Sequence, residues 1–378
     1  MIILKKAPAS CGRPKGAGLA LAMADHVMGD LSGSRFPTDS PCPERSGPGC
    51  RTRGPFPSAV VVILTSPVIR GYHPPEMNVP DEHIAVCVCT YKRPVLLTRL
   101  LEKLSRLRTD GLFSISVTVV DNDHEGSGRE PVLTLRPQVK IPVNYCVEPE
   151  RSISLARNRS IACAEGSMLA FIDDDEFPDE GWLINHFRTL RGSTAAGVLG
   201  PVRPHFDVQP PAWLVKSGIL ARREFMTGEK LADARFTRTG NVLFRRSLFA
   251  DLKNRFDPKF GRTGGGDAAF FKRMIEKGHV FIWCNEAVVH ETVPPERQIR
   301  SYYLKRAFTR GMTEALERPF LNPSTLRSIV AVPLYALLLP FAWLAGQHYF
   351  MRYLVKECDH LSRLLAYAGI RPIKERPY

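Results

Sequence analysis

The chain has 378 residues and 44% hydrophobic content, which suits one large domain with a buried core plus appendages. Its net charge of +14 is concentrated in the two ends of the chain, so the centre is almost neutral. Basic ends favour an anionic surface such as lipid or phosphate, and because no nucleic-acid-binding motif is present we expect no nucleic-acid partner. The nine cysteines include no CxxC pair, which argues against a zinc or disulfide framework and favours a reducing compartment.

The first 80 residues are predicted to be a disordered, basic extension rich in proline and glycine. Eleven of the 31 prolines lie in residues 1–76, and the apolar run Ala59–Leu64 is too short to organise a core. No secretory signal pattern is present at the start of the sequence. Met77 directly precedes the first convincing strand, so we hypothesise that it is the native start; N-terminal sequencing that finds Met1 would contradict this.

From residue 84 onward, strand patterns alternate with helix patterns. The predicted strands are Ile84–Thr90, Ile115–Asp121, Ile141–Val147 and Met168–Asp173, and the predicted helices are Val95–Leu107, Ile153–Ala164 and Glu180–Leu190. Apolar strands in such alternation predict an α/β fold whose parallel sheet is covered on both faces. After residue 195 the alternation loosens, with strand candidates at 195–202, 239–244, 279–284 and 287–290 and a helix at 267–277.

Polar clusters follow three of the predicted strands, at Thr90–Arg93, Asp121–Asp123 and Asp173–Asp175. Ligands of parallel sheets bind beyond the carboxyl ends of the strands, so these clusters predict one site. The acidic run suits Mg²⁺, which binds one or two carboxylates and leaves its other positions to phosphate and water. The alternative is an acidic loop that favours the N-terminus of the following helix.

A nucleoside diphosphate-sugar has parts that match these clusters. We expect Asp121 to accept a hydrogen bond from the N3 proton of uracil while Tyr91 packs against the ring. Arg157 and Asn158 can reach the nucleotide from the next helix, and Asp173 can meet the ribose. The expected nucleotide-binding residues are Thr90, Tyr91, Arg93, Asp121, Arg157, Asn158, Asp173 and Asp174.

The remaining chemistry is assigned to three residues. Asp175 is the expected metal ligand, and its cation offsets the charge of the departing diphosphate. Asp267 follows three glycines and is the expected general base, although a helix N-cap is the simpler explanation. His290 ends a predicted strand and is a second candidate metal ligand, with a structural histidine as the alternative.

The C-terminal region is predicted to be helical and basic, with an apolar segment at residues 328–351 that contains no Asp, Glu, Lys or Arg. Its length is sufficient to cross a bilayer. Pro333 and Pro340 within it weigh against a simple spanning helix, so a broken or interfacial helix pair in the headgroup region is a second possibility and a buried core helix is the third. Membrane association is the favoured interpretation.

Five motifs in this order resemble glycosyltransferases of family 2, which have the GT-A fold, a Rossmann-like nucleotide-diphospho-sugar transferase domain. The motifs are Val88–Pro94, Val119–Asn122, Ala156–Asn158, Phe171–Asp175 and Gly265–Asp267. The resemblance implies an inverting displacement, a UDP-sugar donor and Mg²⁺ or Mn²⁺. Within the family, Cys89–Pro94 and the segment 299–311 are similar to bacterial exopolysaccharide enzymes of the succinoglycan glucosyltransferase kind, which build on a lipid carrier.

Two departures from the family pattern matter for function. Many relatives carry Glu where this chain has Gly266, so a helper carboxylate beside Asp267 is absent. The chain also lacks a Gln-x-x-Arg-Trp motif, which argues against a processive synthase.

We therefore expect an extension at residues 1–80, a GT-A domain at 81–300 and a helical, membrane-associated region at 301–378. The expected activity is transfer of a hexose from a UDP-sugar to a hydroxyl of a lipid-linked or polysaccharide acceptor, at the cytoplasmic face of the cell membrane. The alternatives are a sugar-nucleotide nucleotidyltransferase, disfavoured because Thr90–Pro94 contains no glycine, and a non-catalytic glycan-binding scaffold, disfavoured because Asp175 and Asp267 are both present.

Overall fold

The computed structural model describes residues 82–261, 264–317 and 319–370, so the predictions for residues 1–80 and the start at Met77 lie outside the described residues. The strands are β1 (His83–Thr90), β2 (Ser114–Asp121), β3 (Val143–Val147), β4 (Met168–Asp173), β5 (Glu176–Pro178), β6 (Gly197–Leu199), β7 (Val202–His205), β8 (Asn241–Arg245), β9 (Phe281–Trp283) and β10 (Val289–Thr292). The helices are α1 (Pro94–Leu104), α2 (Arg129–Leu135), α3 (Ile153–Cys163), α4 (Trp182–Arg191), α5 (Ala212–Ser217), α6 (Gly266–Glu276), α7 (Arg300–Glu317), α8 (Pro323–Ala345) and α9 (Gln347–Tyr367).

The central sheet has seven strands in the order β3-β2-β1-β4-β8-β6-β9. Strands β3, β2, β1 and β4 are parallel, as the alternating pattern predicts. The sheet is mixed beyond that point, because β8 returns between β4 and β6 and runs antiparallel to both. The single strand predicted at 195–202 is two short strands, β6 and β7, and β7 belongs to a second, three-stranded sheet with order β5-β10-β7.

Strand β1 shows how the sheet is buried on both faces. Successive side chains of a strand point to opposite faces, and Ile84, Val86 and Val88 enter one core cluster while Ala85 and Cys87 enter the other. The first cluster contains α1 and α4 side chains, and the second contains an aromatic group from β8, α6 and β9. Cys87 is a buried thiol whose pKa is raised by burial, as expected of a small core residue.

Asn241, at the start of β8, joins the two sheets. Its amide oxygen accepts a hydrogen bond of 2.8 Å from Trp182 Nε1, and its amide nitrogen donates to the carbonyls of Pro201 and Ala287 at 2.9 and 2.7 Å. The side chain is fully buried. A buried amide with these hydrogen bonds fixes the backbone around it, because breaking any of them would leave a buried polar group without a hydrogen-bond partner.

The C-terminal helices pack on the sheet domain through α5 and on one another. Leu214 of α5, Tyr303 and Ala307 of α7, and Met351 and Val355 of α9 form a separate apolar cluster. Helix α8 is continuous through Pro333 and Pro340, and it turns into α9 at Gly346. Its 23 residues have a mean hydropathy of 2.0 in the most apolar window, so its length and composition suffice to cross a membrane.

Candidate active site

The ends of β1, β2 and β4 lie side by side, as the sequence predicts. Thr90 is paired with Asp121 in the register of β1 and β2, and Cys89 is paired with Asp173 in that of β1 and β4. Thr90 Oγ1 donates a hydrogen bond of 2.9 Å to Asp174 Oδ2. The three polar clusters therefore form one edge, and side chains from different strands contact each other there.

Arg93 links the first cluster to the acidic run. Its Nη1 donates to Asp174 Oδ1 at 2.9 Å and lies 3.3 Å from Asp175 Oδ2. Burial raises the pKa of the Asp174 carboxyl, and the Arg93 charge opposes that rise. Asp174 is thus held inside the protein by Arg93 and Thr90, whereas Asp175 lies farther out with a side chain that is 14% exposed.

Asp121 is fully buried and already accepts three hydrogen bonds. They come from the backbone N–H groups of Asp123 and Gly128, at 3.0 and 2.6 Å, and from the Tyr145 hydroxyl at 2.8 Å. A carboxylate can accept about four such bonds, so one acceptor position remains. Because the Asp121 side chain is fully buried, its base-reading role stays a prediction.

Tyr91 and Asn158 have partners within the protein. The guanidinium of Arg151 stacks 4.7 Å from the centre of the Tyr91 ring, so one face of this partly exposed ring is covered. The Asn158 amide is bonded on both sides to the backbone of Phe256, at 2.8 and 2.9 Å. This geometry makes Asn158 a support for that loop and does not favour the direct nucleotide contact expected from the sequence.

Arg157 joins the acidic run to Asp267. Its Nη1 lies 2.5 Å from Asp267 Oδ1, and its Nη2 lies 3.7 Å from Asp173 Oδ1. Burial lowers the pKa of Arg157, but the charges of Asp267 and Asp173 outweigh burial and raise it. Asp173 and Asp267, which are 94 positions apart in sequence, are thereby brought to one buried guanidinium.

The placement of Asp267 depends on the loop before α6. Gly264 and Gly265 have φ angles of 75° and 81°, a left-handed conformation that favours glycine. Asp267 then lies in the first turn of α6 with its side chain 28% exposed, and its Oδ2 accepts hydrogen bonds from Thr239 N and Oγ1 at 3.2 and 2.9 Å. The carboxylate is oriented by Arg157 and Thr239 and is still partly exposed to solvent.

Asp173, on the other contact of Arg157, has 43% of its side chain exposed. Desolvation by the surrounding protein raises the pKa of its carboxyl to about 7, Arg157 opposes the rise, and Asp175 and Asp267 add to it. The pKa of Glu176 is raised well above its usual value by burial and by Asp173, Asp175 and Glu291. Raised pKa values of this kind mark carboxylates that would be stabilised by a cation.

His290 does not lie with these carboxylates. Its Nε2 is 3.1 Å from Asp179 Oδ1, and its ring stacks on Phe177 with 5.3 Å between centroids. The next residue, Glu291, points to the other face of β10 and contacts Arg297, whose Nη1 is also 3.4 Å from Asp175 Oδ2. The geometry therefore does not favour His290 as a metal ligand and places Glu291 near the acidic run instead.

The carboxylates fit a hard divalent cation by their chemistry. Oxygen donors suit Mg²⁺ and Mn²⁺, and Asp175 lies in the acidic run with a side chain that is 14% exposed and contacts the guanidiniums of Arg93 and Arg297. No group of three or more His, Cys, Asp or Glu side chains is arranged to hold a metal within residues 82–261, 264–317 and 319–370. A cation here would thus take one or two protein ligands and complete its shell from phosphate and water.

Sequence reasoning missed Thr239, which binds Asp267, and Glu291, which joins the acidic cluster. Thr239 lies in the strand candidate at 239–244 and belongs to none of the five motifs. Glu291 directly follows His290, and strand alternation shows that the two side chains face opposite ways without showing which of them faces the site.

The sequence and fold are similar to those of known glycosyltransferases. A profile described as Glycosyl transferase family 2 matches residues 85–253. The chain is 37% identical over 243 residues to the Succinoglycan biosynthesis protein ExoM of Rhizobium meliloti (strain 1021), which covers 62% of this chain and 75% of that protein. It is 24% identical over 242 residues to the Glucosyl-dolichyl phosphate glucuronosyltransferase of Haloferax volcanii, which covers 61% of this chain and 76% of that protein.

A solved structure supports the same fold. The mannosyltransferase PcManGT from Pyrobaculum calidifontis, in complex with GDP-Man and Mn²⁺, matches with a TM-score of 0.52 and 19% identity, covering 77% of this chain and 88% of that chain. The fold is GT-A, as the motifs imply. With the profile match and the extended similarity to the Rhizobium protein, these findings identify the chain as an enzyme of glycosyltransferase family 2.

Proposed function

We propose that this enzyme transfers a hexose from a UDP-sugar, with inversion, to a hydroxyl of a lipid-linked or polysaccharide acceptor in the synthesis of a bacterial exopolysaccharide or other cell-surface glycan. The observation that carries the proposal is the bridge made by Arg157, which contacts both Asp267 and Asp173. A base and a nucleotide-binding edge on either side of one guanidinium leave a cleft between them for an activated sugar. The similarity to the succinoglycan biosynthesis protein supports the glycan class.

Each residue of the site has its own proposed role. Asp267 removes the proton from the acceptor hydroxyl as the oxygen attacks the anomeric carbon, and Arg157 and Thr239 hold its carboxylate in position. Asp173, Asp174, Thr90 and the β2 end bind the nucleotide. Asp175 holds Mg²⁺ or Mn²⁺, which supplies positive charge for the diphosphate when bound. The Mn²⁺ in the PcManGT complex supports this choice of metal.

A donor screen tests the proposal directly. Purified protein in detergent is incubated with individual UDP-sugars, with GDP-mannose as the alternative donor class, and release of the nucleoside diphosphate is measured with Mn²⁺ or with EDTA. We expect metal-dependent release from one UDP-sugar, increased by an extract of lipid-linked glycans. Release from GDP-mannose alone would show that the donor is a GDP-sugar and not a UDP-sugar. The absence of release from any donor would contradict the proposed reaction.

The proposed enzyme associates with the membrane through α8. One side of this helix packs on α9, where Tyr335 contacts the Tyr353 ring at 5.8 Å and Ser328 bonds to His360. The other side exposes large apolar residues, namely Leu326, Ile329, Val330, Leu337, Phe341, Trp343 and Leu344. An apolar face of this length exposed to water is unusual in a soluble protein and favours an apolar environment.

The packing of α9 favours a helix that lies on the membrane over one that crosses it. Helix α9 runs back along α8 and carries charged residues that include Lys356, Asp359 and Arg363, and Asp359 pairs with Arg310 of α7. A spanning α8 would draw these charges towards the hydrocarbon, at a cost of about 2.5–3.5 kcal/mol for each charged residue at the bilayer centre. The proposed location is the cytoplasmic face of the membrane, where nucleotide-sugars are the donors. Basic residues such as Arg352 can contact anionic lipid there.

Substituting two exposed residues of α8 tests the membrane contact. The double variant Leu337→Glu/Phe341→Glu is expected to weaken binding to vesicles of phosphatidylethanolamine and phosphatidylglycerol at least about 100-fold, because each side chain contributes roughly 1.5–3 kcal/mol on burial. Flotation of the vesicles measures the bound fraction. Leu252→Glu, at an exposed leucine outside α8, is the control. If alkaline carbonate fails to release the wild-type protein from the vesicles, that result would contradict the arrangement of α8 in the plane of the membrane.

A further inference from the structure

A cavity of about 190 Å³ lies on the half of the central sheet that the nucleotide residues do not use. Its walls come from the turn between β6 and β7, the segment after α5, the segment before β8, and the end of β9. Six of its lining residues carry the argument: Arg222, Arg223, Glu224, Phe236, Arg238 and Trp283. Strands β6 and β9 are at the opposite end of the sheet order from β3, so the cavity is separate from the edge formed by β1 to β3.

The cavity carries more positive than negative charge. Its carboxylate, Glu224, already accepts two hydrogen bonds of 2.9 Å from Arg203, which is outside the lining. Arg222 pairs with Glu291, and Arg223 stacks 4.8 Å from the centre of the Phe225 ring. These pairings leave the charge of a further lining arginine uncompensated.

That arginine is Arg238. Within the described part of the chain it makes no hydrogen bond and no ion pair, although it is half-buried. Burial and the neighbouring charge of Arg222 lower the pKa of Arg238, while the charges of Glu176, Glu291 and Asp267 raise it. A guanidinium that makes no hydrogen bond or ion pair within the protein can direct its N–H groups to an incoming oxyanion.

The position of Arg238 indicates which substrate brings that oxyanion. It directly precedes Thr239, the residue that binds the proposed base Asp267. The groups that would hold the nucleotide lie at the ends of β1, β2 and β4, on the other side of β8 in the sheet order. An anion in the Arg238 cavity is therefore on the acceptor half of the site, close enough to the base for the charge of Asp267 to act on Arg238.

We propose that the Arg238 cavity binds an oxyanion, a carboxylate or a phosphate, carried by the acceptor, an inference that rests on the proposed transferase function. The guanidinium fork of Arg238 holds the anion, and the aromatic wall of Phe236 and Trp283 packs against the apolar face of the attached sugar or linker. Binding there orients the acceptor so that its hydroxyl faces Asp267. The two sources are an acidic sugar of the glycan and the phosphate that joins the glycan to its carrier.

Titration calorimetry on protein saturated with UDP and Mn²⁺ tests the site and distinguishes the two sources. The probes are methyl glucuronide for the sugar carboxylate, glucose 1-phosphate for the phosphate, and methyl glucoside as the neutral ring. We expect one of the two anions to bind more tightly than methyl glucoside. Its affinity should fall about 10-fold to 100-fold in Arg238→Gln and recover in part in Arg238→Lys, which keeps the charge without the fork.

Arg188→Gln is the matched control, because it removes the same charge from an exposed helix position. Thermal unfolding and UDP affinity are measured for each variant, and both should match wild type in Arg238→Gln. Equal binding of anions and methyl glucoside, or unchanged anion affinity in Arg238→Gln, overturns the proposal. Weaker UDP binding in a folded Arg238→Gln variant also overturns it, since Arg238 then serves the donor. The titration requires no turnover, so its outcome is separate from that of the donor screen.

Discussion

Replacing Asp267 with Asn is expected to lower the rate of sugar transfer by a factor of about 10² to 10⁴, the usual contribution of a general base. The substitution preserves the shape of the side chain and removes its ability to take a proton. Hydrogen bonding to Thr239 can continue through the amide, so the first turn of α6 stays in place. The transfer rate is measured at saturating donor and acceptor, so that the comparison reports the chemical step.

Measuring nucleotide binding by the Asp267→Asn variant distinguishes a catalytic base from a residue that only supports the donor site. Arg157 loses its 2.5 Å partner but remains near Asp173, so metal-dependent UDP affinity should stay within about threefold of wild type. Asp257→Asn is the control, because Asp257 caps the short turn at 258–260 and its carboxylate is near the surface. A wild-type transfer rate in Asp267→Asn would reject the assignment, and a joint loss of UDP binding would make Asp267 a support for the donor site.

The sheet and its polar edge could be predicted because both follow from local rules. Continuous apolar runs separated by helical periodicity specify parallel strands, and parallel strands bring their carboxyl ends to the same edge. Thr90, Asp121 and Asp173 therefore meet in the structure as the sequence predicts. The strand boundaries differ by a few residues, which is the usual scatter at element ends.

What the sequence did not reveal depends on which face of an element packs inward. Periodicity could not show that Glu291 faces the acidic run while His290 packs on Phe177. It also could not show that the Asn158 amide pairs with the Phe256 backbone, because that contact joins residues 98 positions apart. Arg238 lies in a stretch with weak periodicity, so its cavity had no signal in the sequence.

The contact made by Arg157 was the least predictable part of the site. The motifs placed Arg157 near the nucleotide and Asp267 after a glycine loop, without indicating that the two side chains pair. Their pairing needs the left-handed turn at Gly264 and Gly265 to aim the start of α6 at α3. Long-range ion pairs of this kind result from the packed fold and cannot be derived from either segment alone.

Replacing Asp175 with Ala is expected to weaken metal-dependent UDP binding by more than about 100-fold. Loss of a group that merely supports a metal ligand typically costs 10-fold to 100-fold in affinity, and Asp175 is proposed as the ligand itself. The fold should persist, because Arg93 keeps its 2.9 Å contact with Asp174 and Arg297 keeps Glu291 at 3.6 Å. Calorimetric titration of UDP with Mn²⁺ and with EDTA measures the metal-dependent part of the affinity.

Two companion variants make the Asp175 result specific. Asp179→Ala removes a carboxylate that is 59% exposed and pairs with His290, so it should leave metal-dependent UDP binding within about threefold of wild type. His290→Ala tests the ligand suggested by the sequence, and we expect a similarly small effect because its ring packs on Phe177. A large loss in His290→Ala with normal binding in Asp175→Ala would move the metal to the other face of β10. Equal and small effects in all three would instead mean that the diphosphate is neutralised by Arg93, Arg157 and Arg297, which already line the same edge.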